Sequence, residues 1–140
     1  MPVSSALVES GSCFEQKFQP VIETSGWRVA VLRQCGQVYP HCFQQVERHN
    51  KTDEVFILTA GKADLIIVEE NAGKMIPHVL PMGLNVAYNV KQSVWHHVLL
   101  SADAHIFLFE RADTSTENSD YLTLDPDVQE AIRRKKSDLV

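Results

Sequence analysis

At 140 residues the chain has the length of one domain and can bury a sizeable core. With 44% hydrophobic residues it has a globular rather than a disordered composition. Its formal net charge of -5 argues against nucleic acid as the main partner, because phosphate binding needs clustered Lys and Arg. No apolar run approaches the ~20 residues of a membrane helix, and the opening MPVSSALVESGS lacks the basic-then-apolar order of a secretory leader. The three cysteines, Cys13, Cys35 and Cys42, are odd in number and form no CxxC. Free thiols in a reducing compartment are expected, hence a cytoplasmic protein with no membrane partner.

Residues 1–24 read as a small, polar lead-in and an edge strand, since Pro20 cannot donate to a ladder. After Gly26, residues 27–33 make a good strand. Gly36 and Pro40 punctuate a turn, and residues 43–49 form the next strand. Residues 54–60 and 63–69 pair across Gly61-Lys62, with apolar side chains on both faces. Further strands are expected over 74–80, 86–90, 94–100 and 104–110. Many short strands separated by Gly and Pro turns predict a sandwich or barrel over residues 25–111. Residues 112–140 then supply a polar loop and a C-terminal helix. Asp125-Pro126 starts that helix, and Arg133-Arg134-Lys135-Lys136 ends it in accord with the helix dipole. Val128, Ile132 and Leu139 are placed to lay one side of it on the barrel.

The chemistry concentrates in residues 47–61, ERHNKTDEVFILTAG. Glu47 and His49 point to one face of a strand, residues 50–53 supply turn chemistry, and Glu54 opens the next strand. Such a hairpin brings Glu47, His49 and Glu54 to one patch. Carboxylate and imidazole groups converging in an apolar barrel suit a transition-metal ion.

The spacing His49, four residues, Glu54, six residues, Gly61 resembles the second half of the first cupin motif. Glu47 stands in the place of that motif's first His, and His41 in the place of its leading Gly. Of the second motif only His96 is retained, and Leu100 stands where an Asn is expected. The resemblance implies an antiparallel jelly-roll barrel, a homodimer, and a divalent transition metal (Fe, Mn, Ni or Zn) held by His49, Glu54 and His96. Glu47 is left with three roles: a fourth ligand, a general acid or base beside a substrate, or the mark of a cupin that has lost its metal. The functional expectation is a metal-binding cupin acting on a small polar metabolite, a sugar or a carboxylate. The alternative is a metal-free ligand-binding module without catalysis.

His96 and His97 face opposite ways on a strand, and the motif register selects His96 for the interior. His41 is a candidate for the barrel mouth, and Tyr88 for a substrate contact. His78, His105, Trp27 and Trp95 are read as structural or exposed.

Overall fold

The computed structural model describes residues 3–140. Among the described residues, ten strands and one α-helix follow one another. The strands are β1 (Phe18–Thr24), β2 (Trp27–Leu32), β3 (Gln45–His49), β4 (Glu54–Ala60), β5 (Ala63–Asn71), β6 (Lys74–Pro81), β7 (Ala87–Val90), β8 (Trp95–Leu100), β9 (His105–Arg111) and β10 (Ser119–Thr123). The helix is α1 (Pro126–Lys135). Two five-stranded antiparallel sheets face each other, in the orders β1-β2-β9-β4-β7 and β10-β3-β8-β5-β6.

Period-2 alternation explains the core. Ala30 and Leu32, Phe56 and Leu58, and Ile106 and Leu108 meet Leu65, Val98 and Leu100 from the opposite sheet. β5 and β8 are apolar on both faces because their outer sides are also covered. Ile66, Val68, Trp95 and Leu99 form a second cluster with Leu124, Ile132 and Leu139 beneath α1. Val128 joins that cluster, so the helix uses the side expected of it. Pro126 is its first residue, but the Asp125 side chain makes no capping bond. The tail beyond α1 is tied down by Asp64, which is fully buried and accepts from Ser137 N at 2.6 Å and Ser137 Oγ at 2.7 Å.

Gly61 has a physical reason for its place. Its φ is +73°, and a Cβ there would lie 2.5 Å from the backbone of Ala104.

The strand pairings differ from the sequence expectation. β4 lies in the sheet opposite to β3 and β5, so residues 43–49 and 54–60 form no hairpin and 54–60 does not pair with 63–69: the turns at 50–53 and at Gly61-Lys62 each cross from one sheet to the other. The edges differ as well. β1 begins at Phe18, and its pairing with β2 shifts between Pro20 and Ile22. Residues 119–123, expected to be loop or helix approach, are β10, which pairs with β3 from Ser119↔His49 to Thr123↔Gln45. The sheets therefore extend to both sides of residues 25–111. A polar edge strand with one solvated face lacks the apolar run by which the others were recognised.

Candidate metal centre

Tied turns and the registers of neighbouring strands build the centre. Asp53 accepts from Gln92 N at 2.8 Å and from Asn89 Nδ2 at 3.1 Å. Gln92 Nε2 donates to Asn50 O at 2.6 Å, and Ser93 N donates to His49 O at 2.8 Å. The 50–53 turn is thus fastened to the 91–93 turn that feeds β8. Asn50 N also reaches Asn118 O at 2.9 Å, which brings in the approach to β10.

The strand registers then set the side chains. Glu47 pairs with His96 across β3 and β8, and with Tyr121 across β3 and β10. His49 pairs with Ser119. Glu54 opens β4 on the face that carries Phe56 and Leu58 inward. Glu110 pairs with Arg28 across β9 and β2.

All four residues expected at the site converge. Each of Glu47, His49, Glu54 and His96 offers one donor atom, and these atoms lie within 4.8 Å of one another. Glu54 Oε1 is 2.9 Å from His96 Nε2 and 3.3 Å from His49 Nε2. Glu47 Oε1 is 3.9 Å from His49 Nε2 and 4.0 Å from His96 Nε2. His49, Glu54 and His96 are buried, whereas the Glu47 side chain is 36% exposed and faces the cavity. The outward nitrogens are occupied. His96 Nδ1 donates to Val94 O at 2.9 Å, and His49 Nδ1 hydrogen-bonds Ser119 Oγ at 2.8 Å. Both Nε2 atoms are thereby aimed at the centre, as metal-ligating histidines require.

The chemistry of the donor set fits a transition metal. Ligand bonds of ~2.0–2.2 Å place donors on opposite sides of an ion roughly 4 Å apart, close to the separations found. His49, Glu54 and His96 would hold the ion, with Glu47 able to close the set from the open side.

Without an ion the cluster satisfies itself by charge. Burial works against the Glu54 carboxylate, but hydrogen bonds from His49 and His96 outweigh it and hold the group well below the usual carboxylate range. Burial alone would lower both imidazoles, yet the bond to Glu54 and its charge raise them. Burial raises Glu47, with the Glu54 charge adding to it and the nearby histidines opposing.

Besides Ser119, the sequence reading missed three residues here. Glu110 is buried, and its Oε1 accepts from Arg28 Nη2 at 2.7 Å and Arg28 Nε at 3.1 Å. Its Oε2 is buried and lies 4.0 Å from His49 Nε2. Burial, then the Glu54 charge and a hydrogen bond shared with the Glu54 carboxylate, push this acid up to about 8 against the pull of Arg28. The readable signal was two opposite charges continuing inward apolar rows: Ile106, Leu108, Glu110 and Arg28, Ala30, Leu32. Tyr121 is the third. It lines the cavity, and burial together with Glu47 and Glu110 raises its phenol, which keeps it a proton donor.

His96, not His97, faces inward. The His97 ring packs on Phe43 with centroids 4.9 Å apart, its Nε2 donates to Gln37 O at 2.9 Å, and burial lowers it to about 4. Two expectations are corrected. Tyr88 uses its hydroxyl to accept from Gly83 N at 2.8 Å and does not line the cavity; it pairs with Phe56 from β7, the edge strand outside β4. His41 stacks near Tyr39 and borders a separate depression with Arg133 and Leu139, away from the metal-facing mouth. Trp95 lies on the outer side of its sheet with Arg48 4.3 Å above its ring.

The centre opens into a cavity of about 430 Å³. Phe18, Gln37, Gln45, Thr116 and Tyr121 line its approach, and Leu32, Phe56 and Leu108 its apolar wall. Among the described residues, no helix is long and apolar enough to cross a membrane.

No protein-family model matches the sequence, and no curated protein is significantly similar to it. Solved structures are similar in fold. A variant of Streptomyces PAC13 with uridine matches at a TM-score of 0.57 and 10% identity, over 81% of this chain and 86% of that chain. Pac13 is described as a unique nucleoside dehydratase. The capsular polysaccharide assembling protein CapF from Staphylococcus aureus matches at a TM-score of 0.56 and 14% identity, over 83% of this chain and 34% of that chain. A cupin-2 domain containing protein from Shewanella frigidimarina aligns at a TM-score of 0.47 and 16% identity, over 76% of this chain and 87% of that chain. Similarity at these identities is one of fold. The chain is a cupin-type antiparallel jelly roll with a short C-terminal helix.

Proposed function

We propose that this barrel binds a divalent transition metal through His49, Glu54 and His96, and presents it to a small polar molecule in the cavity. The observation that carries the reading is the convergence of two imidazole nitrogens and two carboxylates within 4.8 Å in a largely buried pocket. Fe, Mn, Ni and Zn all suit nitrogen and oxygen donors. Such an ion, when bound, polarises a substrate carbonyl or carboxylate oxygen. The chain's own groups do the rest. Ser119 and Val94 O hold the imidazoles in place. Glu47, half-exposed and raised by burial, closes the metal set or takes a proton from the ligand. Tyr121 offers a neutral hydroxyl beside it. The cavity lies within the ~300–1,000 Å³ of small-molecule sites. A sugar or carboxylate of that size is the ligand class we infer, and uridine, with which the PAC13 variant was solved, is a first probe.

A second reading also has an observation behind it. Glu54 is already satisfied by two imidazoles, so the centre is stable as a metal-free polar network that orients a ligand without catalysis. Metal content of protein purified without an affinity tag separates the two. Stoichiometric metal that is lost in His49→Ala and His96→Ala supports the first reading. No metal, with a small molecule retained, supports the second.

We further infer a homodimer in the cytoplasm. Val29, Val55, Ile57, Phe107 and Phe109 lie half-buried on the outer side of the first sheet, the side not covered by α1. The three cysteines are free thiols. Light scattering that gives the monomer mass at micromolar protein rules the dimer out.

A further inference from the structure

We propose that Glu110, aligned by Arg28, is a fifth member of the metal centre, an oxygen donor that biases the site toward a hard ion such as Mn²⁺. This rests on the metal-binding reading above and extends it to a residue outside the motif.

Geometry carries the inference. Glu110 is 6% exposed and sits at the inner end of β9. One of its oxygens has two donors from Arg28, at 2.7 and 3.1 Å. The other is buried and faces the cluster, 4.0 Å from His49 Nε2, with only the Glu54 carboxylate beside it as a hydrogen-bond partner. Two buried carboxyl groups side by side repel when both are charged, so they mark a place where a cation fits between them. Arg28 cannot supply that charge to both oxygens. Its remaining contacts are with Ala112 O and Thr114 O, at 3.4 and 3.3 Å. Arg28 instead pins Oε1 with two donors, which leaves Oε2 to the cluster. Three acids, Glu47, Glu54 and Glu110, then face one cavity with two imidazoles. A cation between them relieves the crowding of the acids. Three oxygens against two nitrogens move the donor set away from zinc's preferred thiolate and imidazole, toward the oxygen-rich sets of manganese.

The test is calorimetric titration of the metal-free protein with Mn²⁺ and with Zn²⁺. Parent, Glu110→Gln and Glu110→Asp are compared after circular dichroism and melting confirm their folds. The Gln variant is expected to lose about ten-fold or more in Mn²⁺ affinity and distinctly less in Zn²⁺ affinity. The Asp variant keeps the charge but draws it back one methylene, so it loses Mn²⁺ affinity to a smaller extent. Should the Gln variant not fold, the Asp variant decides: unchanged Mn²⁺ affinity there overturns the proposal. An equal loss for both ions marks a merely structural role and also overturns it. If the variants match the parent, Glu110 falls while the four-residue centre stands. A parent that takes up neither ion overturns both.

Discussion

Arg28→Met tests the electrostatic frame of the centre. Arg28 and Glu110 have side chains only 15% and 3% exposed, and two charge-assisted hydrogen bonds join them. Removing one partner of such a pair costs about 3–5 kcal/mol, because the other is left buried and uncompensated. Glu110 is raised to about 8, so near neutral pH it can take a proton instead of standing as a bare charge. The loss should therefore fall near the lower figure, about 3 kcal/mol, or roughly 6–12 °C in melting temperature for a domain of this size. The double variant Arg28→Met with Glu110→Leu removes both charges and fills the space. It should recover most of that loss, as apolar replacements of buried pairs do. Urea unfolding of the four proteins in chelator, at pH 6 and pH 9, gives the full cycle. The single-variant loss should grow at pH 9, where the isolated Glu110 must ionise. A loss below about 1 kcal/mol in Arg28→Met would sink the reasoning, since that is the level of an exposed pair. So would a double variant no more stable than the single.

The centre also makes the metal-free protein pH-sensitive. Glu54 is lowered, so its contribution is present above its ordinary 4.5 and is lost on acidification through the folded value. His49 and His96 are raised, so theirs is complete below 6.5 and is lost as pH rises through the folded values. Glu110 retains a proton between its ordinary 4.5 and about 8 that the unfolded chain has released, which also favours the lower pH. The urea midpoint in chelator should fall steadily from pH 6.5 to pH 9, and a rising midpoint would contradict the assignment. Gly61→Ala places a Cβ against the Ala104 backbone at positive φ and should cost about 2–4 kcal/mol by urea unfolding. A neutral result would mean that the turn can relax. Asp64→Ala removes two short bonds to Ser137 and should cost about 2 kcal/mol. Hydrogen exchange should speed up in residues 136–140 while β4 and β9 stay protected, and an unchanged tail would refute the tie.

How much the sequence revealed follows from where each residue lies. The turn between His49 and Glu54 has fixed length, so their spacing survives as a readable motif, and Gly61 is demanded by its φ and by Ala104. β8 is different. WHHVLL is apolar on both faces, so periodicity could not choose between His96 and His97, and the motif spacing had to. The antiparallel strands of a sandwich or barrel that the alternation implied are present as two facing sheets, but β10 was hidden because an edge strand needs only one covered face. Tyr121 and Ser119 were hidden with it. Arg28 and Glu110 are far apart in the chain, and only the β2–β9 register makes them neighbours. A local pattern cannot carry such a pairing, although two opposite charges ending two inward rows were visible. Tyr88 drew notice as an inward aromatic on β7, but β7 is the edge strand of its sheet, and alternation does not give strand order.

Titration of the chelator-treated protein with Zn²⁺ and Mn²⁺, in two buffers of different ionisation enthalpy, tests the centre most directly. His96 donates from Nδ1 to Val94 O and from Nε2 to Glu54 in the metal-free form, so an ion can reach Nε2 only by displacing a proton. The expected result is one ion per chain with proton release near pH 6.5, abolished in His96→Ala and in His49→Ala. Parent protein that shows no binding heat in either buffer, or binding that persists unchanged in both variants, would contradict the metal centre.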